Sequence, residues 1–179
     1  FHAVRGVGFV YKKAGKKITP FLTGGGQEKD LRSTTENVAG IASMAKALRL
    51  VTDKEEFSLP KIAKMKKIIF DELAKYEDIT IFSGEGEDFA PNILTFGIKG
   101  VRGEVVVHAF EEHQIYISTT SACSSKAGKP AGTLISMGIP TKLAQTAVRI
   151  SLDDDNDMGQ VEQFLTIFKQ VYAKTQKVR

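Results

Sequence analysis

The stretch STTSACSSKAGKP, residues 118–130, holds the single cysteine of the chain, Cys123, among hydroxyls, two lysines, a glycine and a proline. Sulfur does chemistry as the thiolate, and a polar segment with a cation close by is where a thiol can ionise and move. A lone cysteine is otherwise a small buried hydrophobe. Here Ser121, Ser124, Ser125, Lys126 and Gly128 supply no apolar periodicity that would bury it. Two readings stay open on these residues, a nucleophilic sulfur on a mobile loop or an exposed thiol of no consequence.

Three further stretches carry groups that could act on a small anion. In VRISL, Val148, Ile150 and Leu152 share one face of a strand, which leaves Arg149 and Ser151 on the other. Arg149 is then either a solvated edge residue or a planar fork set to receive a carboxylate. RSTTEN, residues 32–37, places hydroxyls ahead of a helix, where free amides and the dipole attract anions. Ser33 with Glu36 three residues on also fits a capping box, so plain helix capping is the alternative. GGGQ, residues 24–27, permits positive φ and close backbone approach, and by itself is a flexible turn.

Other candidates read as structural. DDDND, residues 153–157, suggests a calcium loop, but Phe164 stands where the bidentate glutamate belongs, so an acidic turn at a helix start is expected. His2, His108 and His113 are scattered, and no Cys/His spacing matches a zinc site, so no metal is expected. Lys12, Lys13, Lys16 and Lys17 form a dense basic turn.

Hydrophobic periodicity predicts the elements that position these groups. Val4 to Lys12 and ITPFL read as strands, and helices are expected from Val38 to Val51 and from Ser58 to Tyr76. Pro60 falls in the first turn of the second helix, and Lys61, Lys64, Lys66 and Lys67 form its solvated side. ITIFS, NILTFGI, IYIS and VRISL read as strands, and GEVVVHAFEEHQ, PAGTLISMG, PTKLAQTA and Met158 to Lys174 as helices. From residue 56 onward this is an α+β layer on a small mixed sheet. Residues 1–55 read as the end of another domain.

Composition bounds what such a chain can be. With 179 residues, 42% hydrophobic and 26% charged, it can bury a core. The 25 basic and 21 acidic residues are interspersed and the net charge is only +4, so direct nucleic-acid binding is not expected. One cysteine forbids an internal disulfide, which fits a reducing, cytoplasmic setting. No apolar run approaches the roughly 20 residues of a membrane span, and no signal peptide is visible. The strand-like RGVGFVYKK, with no cap or turn ahead of it, leads us to expect a piece of a longer chain.

Taken in order, RGVGFVY, GGGQEKDLRSTTEN, APNIL, ISTTSACSS and VRISL resemble the C-terminal half of a cysteine desulfurase of the NifS/IscS type. The resemblance covers essentially all of the chain. It implies a pyridoxal-phosphate enzyme of the aspartate-aminotransferase fold, class V. Residues 1–55 would be the C-terminal end of the cofactor-binding large domain, and residues 56–179 the small α+β domain that carries the cysteine loop.

The resemblance also implies roles. Cys123 would take sulfur from L-cysteine and hold it as a persulfide, and Arg149 would bind the substrate carboxylate. Thr35 would touch the cofactor phosphate across a homodimer interface, while Asn92 and Gln27 match positions near the active site, for substrate and cofactor respectively. Thr34 stands where many members have a glycine. Lys12, Lys13, Lys16 and Lys17 would help dock a sulfur-acceptor protein. The Ser-x-His-Lys segment of the family precedes its first strand and is absent from these residues, so the fragment alone is expected to lack cofactor and activity. Sulfur would go to iron-sulfur assembly or to thiolation of tRNA or thiamin precursors, the wording TTSACSSK favouring the latter. The alternatives are a class V aminotransferase or lyase with an incidental cysteine, and a basic interaction module without chemistry.

Overall fold

The alternation of apolar residues through 93–98 and 147–151 builds the centre of a four-stranded sheet in the computed structural model, which describes residues 2–86, 88–119 and 132–176. Its strands are β1 (Ile79–Ile81), β2 (Ile93–Ile98), β3 (Ser118–Thr119) and β4 (Ala147–Ser151), in spatial order β1-β2-β4-β3. The described helices are α1 (Val38–Leu73), α2 (Gly103–Glu111), α3 (Gly132–Ser136), α4 (Thr141–Ala144) and α5 (Met158–Gln176).

The sheet is antiparallel at every pairing, not mixed as expected. The connection through α2 makes β2 and β3 run the same way, as in a β-α-β unit, but β4 fills the slot between them in the opposite sense. A parallel contact is thereby split by an inserted strand.

Two compact units divide the chain, Phe1–Glu56 and Phe57–Arg179. The sheet and the buried hydrophobic core belong to the second. On one face of the sheet, Leu94, Phe96, Ile98, Val148 and Ile150 meet Met65, Ile69 and Leu73 of α1, Val106 and Phe110 of α2, and Phe164 and Phe168 of α5. Phe168 is fully buried, with the rings of Tyr76, Phe96, Phe164 and Tyr172 centred 5.2, 6.2, 6.3 and 5.9 Å away. Among the described residues, the opposite face has a thin cover, Leu134, Ala144 and Ala147 backed by Phe82 and Ile139. That asymmetry leaves room for polar residues on the second face.

The acidic turn does what its composition implied. The N–H of Gln160 donates to Asp157 Oδ1 at 2.9 Å, and Gln160 Oε1 accepts from the N–H of Asp157 at 3.3 Å. This reciprocal pair caps α5.

Several expected elements take other forms. Val4 to Lys12 and ITPFL form no strand, and the nearest pairing is an isolated bridge between Leu22 and Arg32. Extended backbone persists only where neighbours satisfy its N–H and C=O groups, and a positive φ of 88° at Gly6 turns the first segment. The two expected helices are one, α1, because no glycine or proline interrupts residues 52–58 and propagation adds a bond per residue fixed. Pro60 therefore lies inside α1. Its N-cap is Asn37, whose Oδ1 accepts from the N–H of Gly40 at 3.0 Å, and not Ser33. Ser33 is buried instead, its N–H donating to the Leu22 carbonyl at 3.0 Å beside the bridge.

Two predictions follow from this packing. Phe168→Ala should destabilise the second unit by about 3–5 kcal/mol, since the cavity lies between two helices and the sheet and cannot collapse easily; denaturant unfolding followed by circular dichroism measures it. Glu72 receives hydrogen bonds from Lys75 and from Lys169 of α5 that hold its carboxyl below the usual range, against the opposing effect of partial burial. Its contribution is therefore present above the ordinary glutamate range and lost as pH falls through the lowered value. Glu72→Gln should cost about 0.5–1 kcal/mol at neutral pH, and the difference should shrink as pH falls through the lowered value.

Candidate active site

Arg149 occupies the middle of the central strand β4, opposite Thr95 of β2 on one side and Ser118 of β3 on the other. Residues directly opposite in antiparallel pairs share a face, so Thr95, Arg149 and Ser118 make a polar row across the sheet, on the face away from the main core. Arg149 is half-buried, and its Nε is closed off from solvent with no hydrogen-bond partner among the described residues. An orphaned guanidinium N–H costs about 1–3 kcal/mol. The arrangement suits a planar acceptor such as a carboxylate, the fork reading of this arginine.

Asn92 lies immediately before β2 on the neighbouring strand connection. The N–H of Ile93 donates to the Ala90 carbonyl at 3.4 Å, closing a turn with Pro91 and Asn92 at its centre. The Asn92 carbonyl accepts from the N–H of Leu152 at 2.8 Å, just past the end of β4. Asn92 and Arg149 are thus carried by adjacent strands of one sheet.

Gln27, Thr35 and the lysine turn belong to the first unit. Gln27 is half-buried and its Oε1, like Arg149 Nε, is buried without a partner among the described residues. Gly25 is what admits the amide: a Cβ there would stand 3.0 Å from Gln27 Oε1 and 3.1 Å from its Nε2. Thr35 is exposed two residues before the Asn37 cap, and its carbonyl accepts from Arg32 Nη1 at 3.4 Å. Lys12, Lys13, Lys16 and Lys17 are all exposed around a turn in which the N–H of Lys16 donates to the Lys13 carbonyl at 3.2 Å, with Gly15 at φ 79°.

Cys123 and the mobility expected of its loop lie outside the described residues. Ser118 and Thr119 of β3 are the last described residues before it.

One residue was misread. Lys66, assigned above to the solvated side of its helix, is 6% exposed, and its Nζ donates to the carbonyls of Gly84 at 3.2 Å and Ala90 at 2.9 Å. The signal was available: Lys66 follows Ile62 by four residues and precedes Ile69 by three, which places it on the apolar stripe.

A model of the class V aminotransferases matches residues 1–164. The chain belongs to the class V aminotransferase family. It is 46% identical over 178 residues to a NifS/IcsS protein homolog of Lactobacillus delbrueckii subsp. bulgaricus, covering 99% of this chain and 46% of that protein. To the cysteine desulfurase IscS of Dictyoglomus turgidum it is 32% identical over 152 residues, 85% of this chain and 39% of the other. The chain thus spans less than half the length of these relatives. Among solved structures, a NifS-like protein superimposes with a TM-score of 0.77 at 29% identity, covering 97% of this chain and 44% of that one. A NifS-like protein of Rickettsia africae gives 0.73 at 31%, covering 88% and 41%. The fold is that of the aspartate-aminotransferase-type, NifS-like proteins.

Within this class V chain, Thr34 has a φ of 94°, a region that a β-branched residue enters only under strain. The backbone is held there by the Leu22–Arg32 bridge on one side and the Asn37 cap on the other. Replacing Thr34 by glycine should therefore stabilise the first unit by about 1 kcal/mol, read as a higher midpoint in denaturant unfolding. A loss of stability would mean that the Thr34 side chain makes up for its backbone.

Proposed function

We propose that this chain is the C-terminal part of a pyridoxal-phosphate-dependent cysteine desulfurase, which converts L-cysteine to L-alanine and holds the sulfur as a persulfide on Cys123. The observation that carries the reading is the orphaned Arg149 Nε in the row Thr95–Arg149–Ser118, next to the strand that leads toward the cysteine. Cys123 is the fifth residue after Ser118, and five steps of chain reach at most about 18 Å. A thiol so tethered can work beside a carboxylate seated on Arg149.

On this reading the second unit is the small domain and the first is the end of the cofactor domain. The first unit supports this by exposing Phe9, Tyr11 and Phe21 while contributing nothing to the described hydrophobic core. Large apolar side chains left open in this way suit a surface that packs against more protein.

Class V membership implies pyridoxal phosphate, and the residues present suit it. The Thr35 hydroxyl, ahead of the α1 N-terminus, would hold the phosphate, and Gln27 Oε1, a buried acceptor with no partner among the described residues, would take a donor from the group. When bound, this cofactor supplies the electron sink that lets the substrate Cα proton leave.

Arg149 holds the substrate carboxylate in its fork, with Asn92 on the connection that leads into the neighbouring strand. The Cys123 thiolate attacks the substrate sulfur, so that an S–S bond forms as the substrate Cβ–S bond breaks with its electron pair left on carbon. Protonation of that carbon yields alanine. The persulfide then passes its outer sulfur to an acceptor protein, which Lys12, Lys13, Lys16 and Lys17 would attract in a homodimeric enzyme.

The test is made on the full-length protein. Cys123→Ala should lower alanine and sulfide formation from cysteine by about 100-fold or more, and Arg149→Lys, which keeps the charge but loses the fork, should raise KM for cysteine by about 10- to 100-fold. An unchanged rate in Cys123→Ala would overturn the persulfide role and leave a class V aminotransferase or lyase with an incidental cysteine.

A further inference from the structure

β1 and β2 are paired strands, yet the chain between them, residues 82–92, is far longer than the two to five residues of an ordinary hairpin loop. A connection of this length needs something other than a turn to hold its shape. At its start, the Phe82 N–H donates to the Thr95 carbonyl at 2.8 Å, and Ser83 Oγ accepts from the N–H of Thr95 at 2.8 Å. At its end stands the turn Ala90–Pro91–Asn92–Ile93.

The Ala90 carbonyl, which closes that turn by accepting from Ile93, also accepts from Lys66 Nζ at 2.9 Å. The same ammonium donates to Gly84 at 3.2 Å, so a single group on α1 fastens both ends of the segment between Gly84 and Ala90. Burying an ammonium is costly unless its donors are used. Desolvation indeed pushes the Lys66 pKa below its usual value, with Glu85 pulling it back. Mere solubility or helix formation would leave such a lysine in water. Its two carbonyl partners are the compensation, and both lie on the path to Asn92.

We propose that Lys66 is a positioning residue for substrate binding: from α1 it clamps the Gly84 and Ala90 carbonyls and so fixes the turn that presents Asn92 beside the Arg149 strand. This rests on the reading of Asn92 as a substrate-binding residue. Lys66 itself touches no substrate. Its effect passes through the Ala90 carbonyl to Asn92, whose own carbonyl is tied to Leu152 at 2.8 Å. A slackened turn would leave the sheet and core intact but let Asn92 drift.

The clamp and its consequence are tested separately in the full-length protein. Without the clamp, in Lys66→Met, amide hydrogen exchange at Ile93 and Leu152 should quicken by about 10-fold, as expected for loss of a charge-assisted hydrogen bond, while Val148 and Ile150 stay protected. Unchanged exchange at Ile93 and Leu152 overturns the clamp. KM for cysteine should rise by about 10-fold with kcat little altered, a split that a merely less stable protein would not show. In Asn92→Ala the KM should rise as well, and adding Lys66→Met to it should raise KM no further. A normal KM in Lys66→Met where Asn92→Ala raises it overturns the positioning role alone. A normal KM in Asn92→Ala overturns the reading of Asn92 and this proposal with it. Should Lys66→Met not fold, Lys66→Gln, which keeps N–H donors without the charge, gives the same comparison with a smaller shift in the same direction.

Discussion

Everything in the second unit depends on how β4 is held between β2 and β3. A central strand has both edges paired, so its register is set twice, and a slip of one residue would turn every side chain to the wrong face. Phe96 opposite Val148 and Leu94 opposite Ile150 place the apolar half of β4 against the helices. The same register obliges Arg149 to the other face, between Thr95 and Ser118. The core and the candidate site are two faces of one pairing decision.

The unequal cover on the two faces follows from that decision. α1, α2 and α5 bury apolar side chains on the first face, while among the described residues α3 and α4 bring Leu134 and Ala144 to the second. The buried apolar core of the described residues therefore lies mainly on the face turned away from Arg149. The second face carries a half-buried arginine whose Nε has no partner among the described residues, and an unmet N–H of this kind costs about 1–3 kcal/mol. In the first unit, Gln27 Oε1 is buried without a partner among the described residues, and Thr34 has a φ of 94°.

What could be read from sequence follows the range of the interactions involved. VRISL announced both faces of β4 because strand alternation is local, and the acidic turn announced the start of α5 because Asp157 and Gln160 are three residues apart. The N-terminal strands were misread because propensity says nothing about a pairing partner, and Phe9 and Tyr11 find no ladder among the described residues. Ser33 looked like a cap because its spacing to Glu36 is right, but a bridge to Leu22, eleven residues before it, draws it inward and leaves the cap to Asn37. The mixed sheet was wrong for a topological reason: nothing local tells that β4 will enter between β2 and β3. Cys123 was legible only as a misfit in any core and as one member of an ordered set of motifs.

Lys66 shows how the two kinds of information combine. Its position on the apolar stripe is visible in the sequence, but a lysine there reads as solvated, because lysines rarely bury their charge. Only the fold brings Gly84 and Ala90 under it, eighteen and twenty-four residues away along the chain. Between them those carbonyls use two of its three donors, and they belong to the connection from β1 to β2, which ends at Asn92. A charge that would be a fault in a core becomes the tie between the helical layer and the turn at Asn92. The main core thus reaches the site by two routes, through the register of β4 to Arg149 and through Lys66 to the turn at Asn92. Residues on separate strands are in this way referred to the same helices.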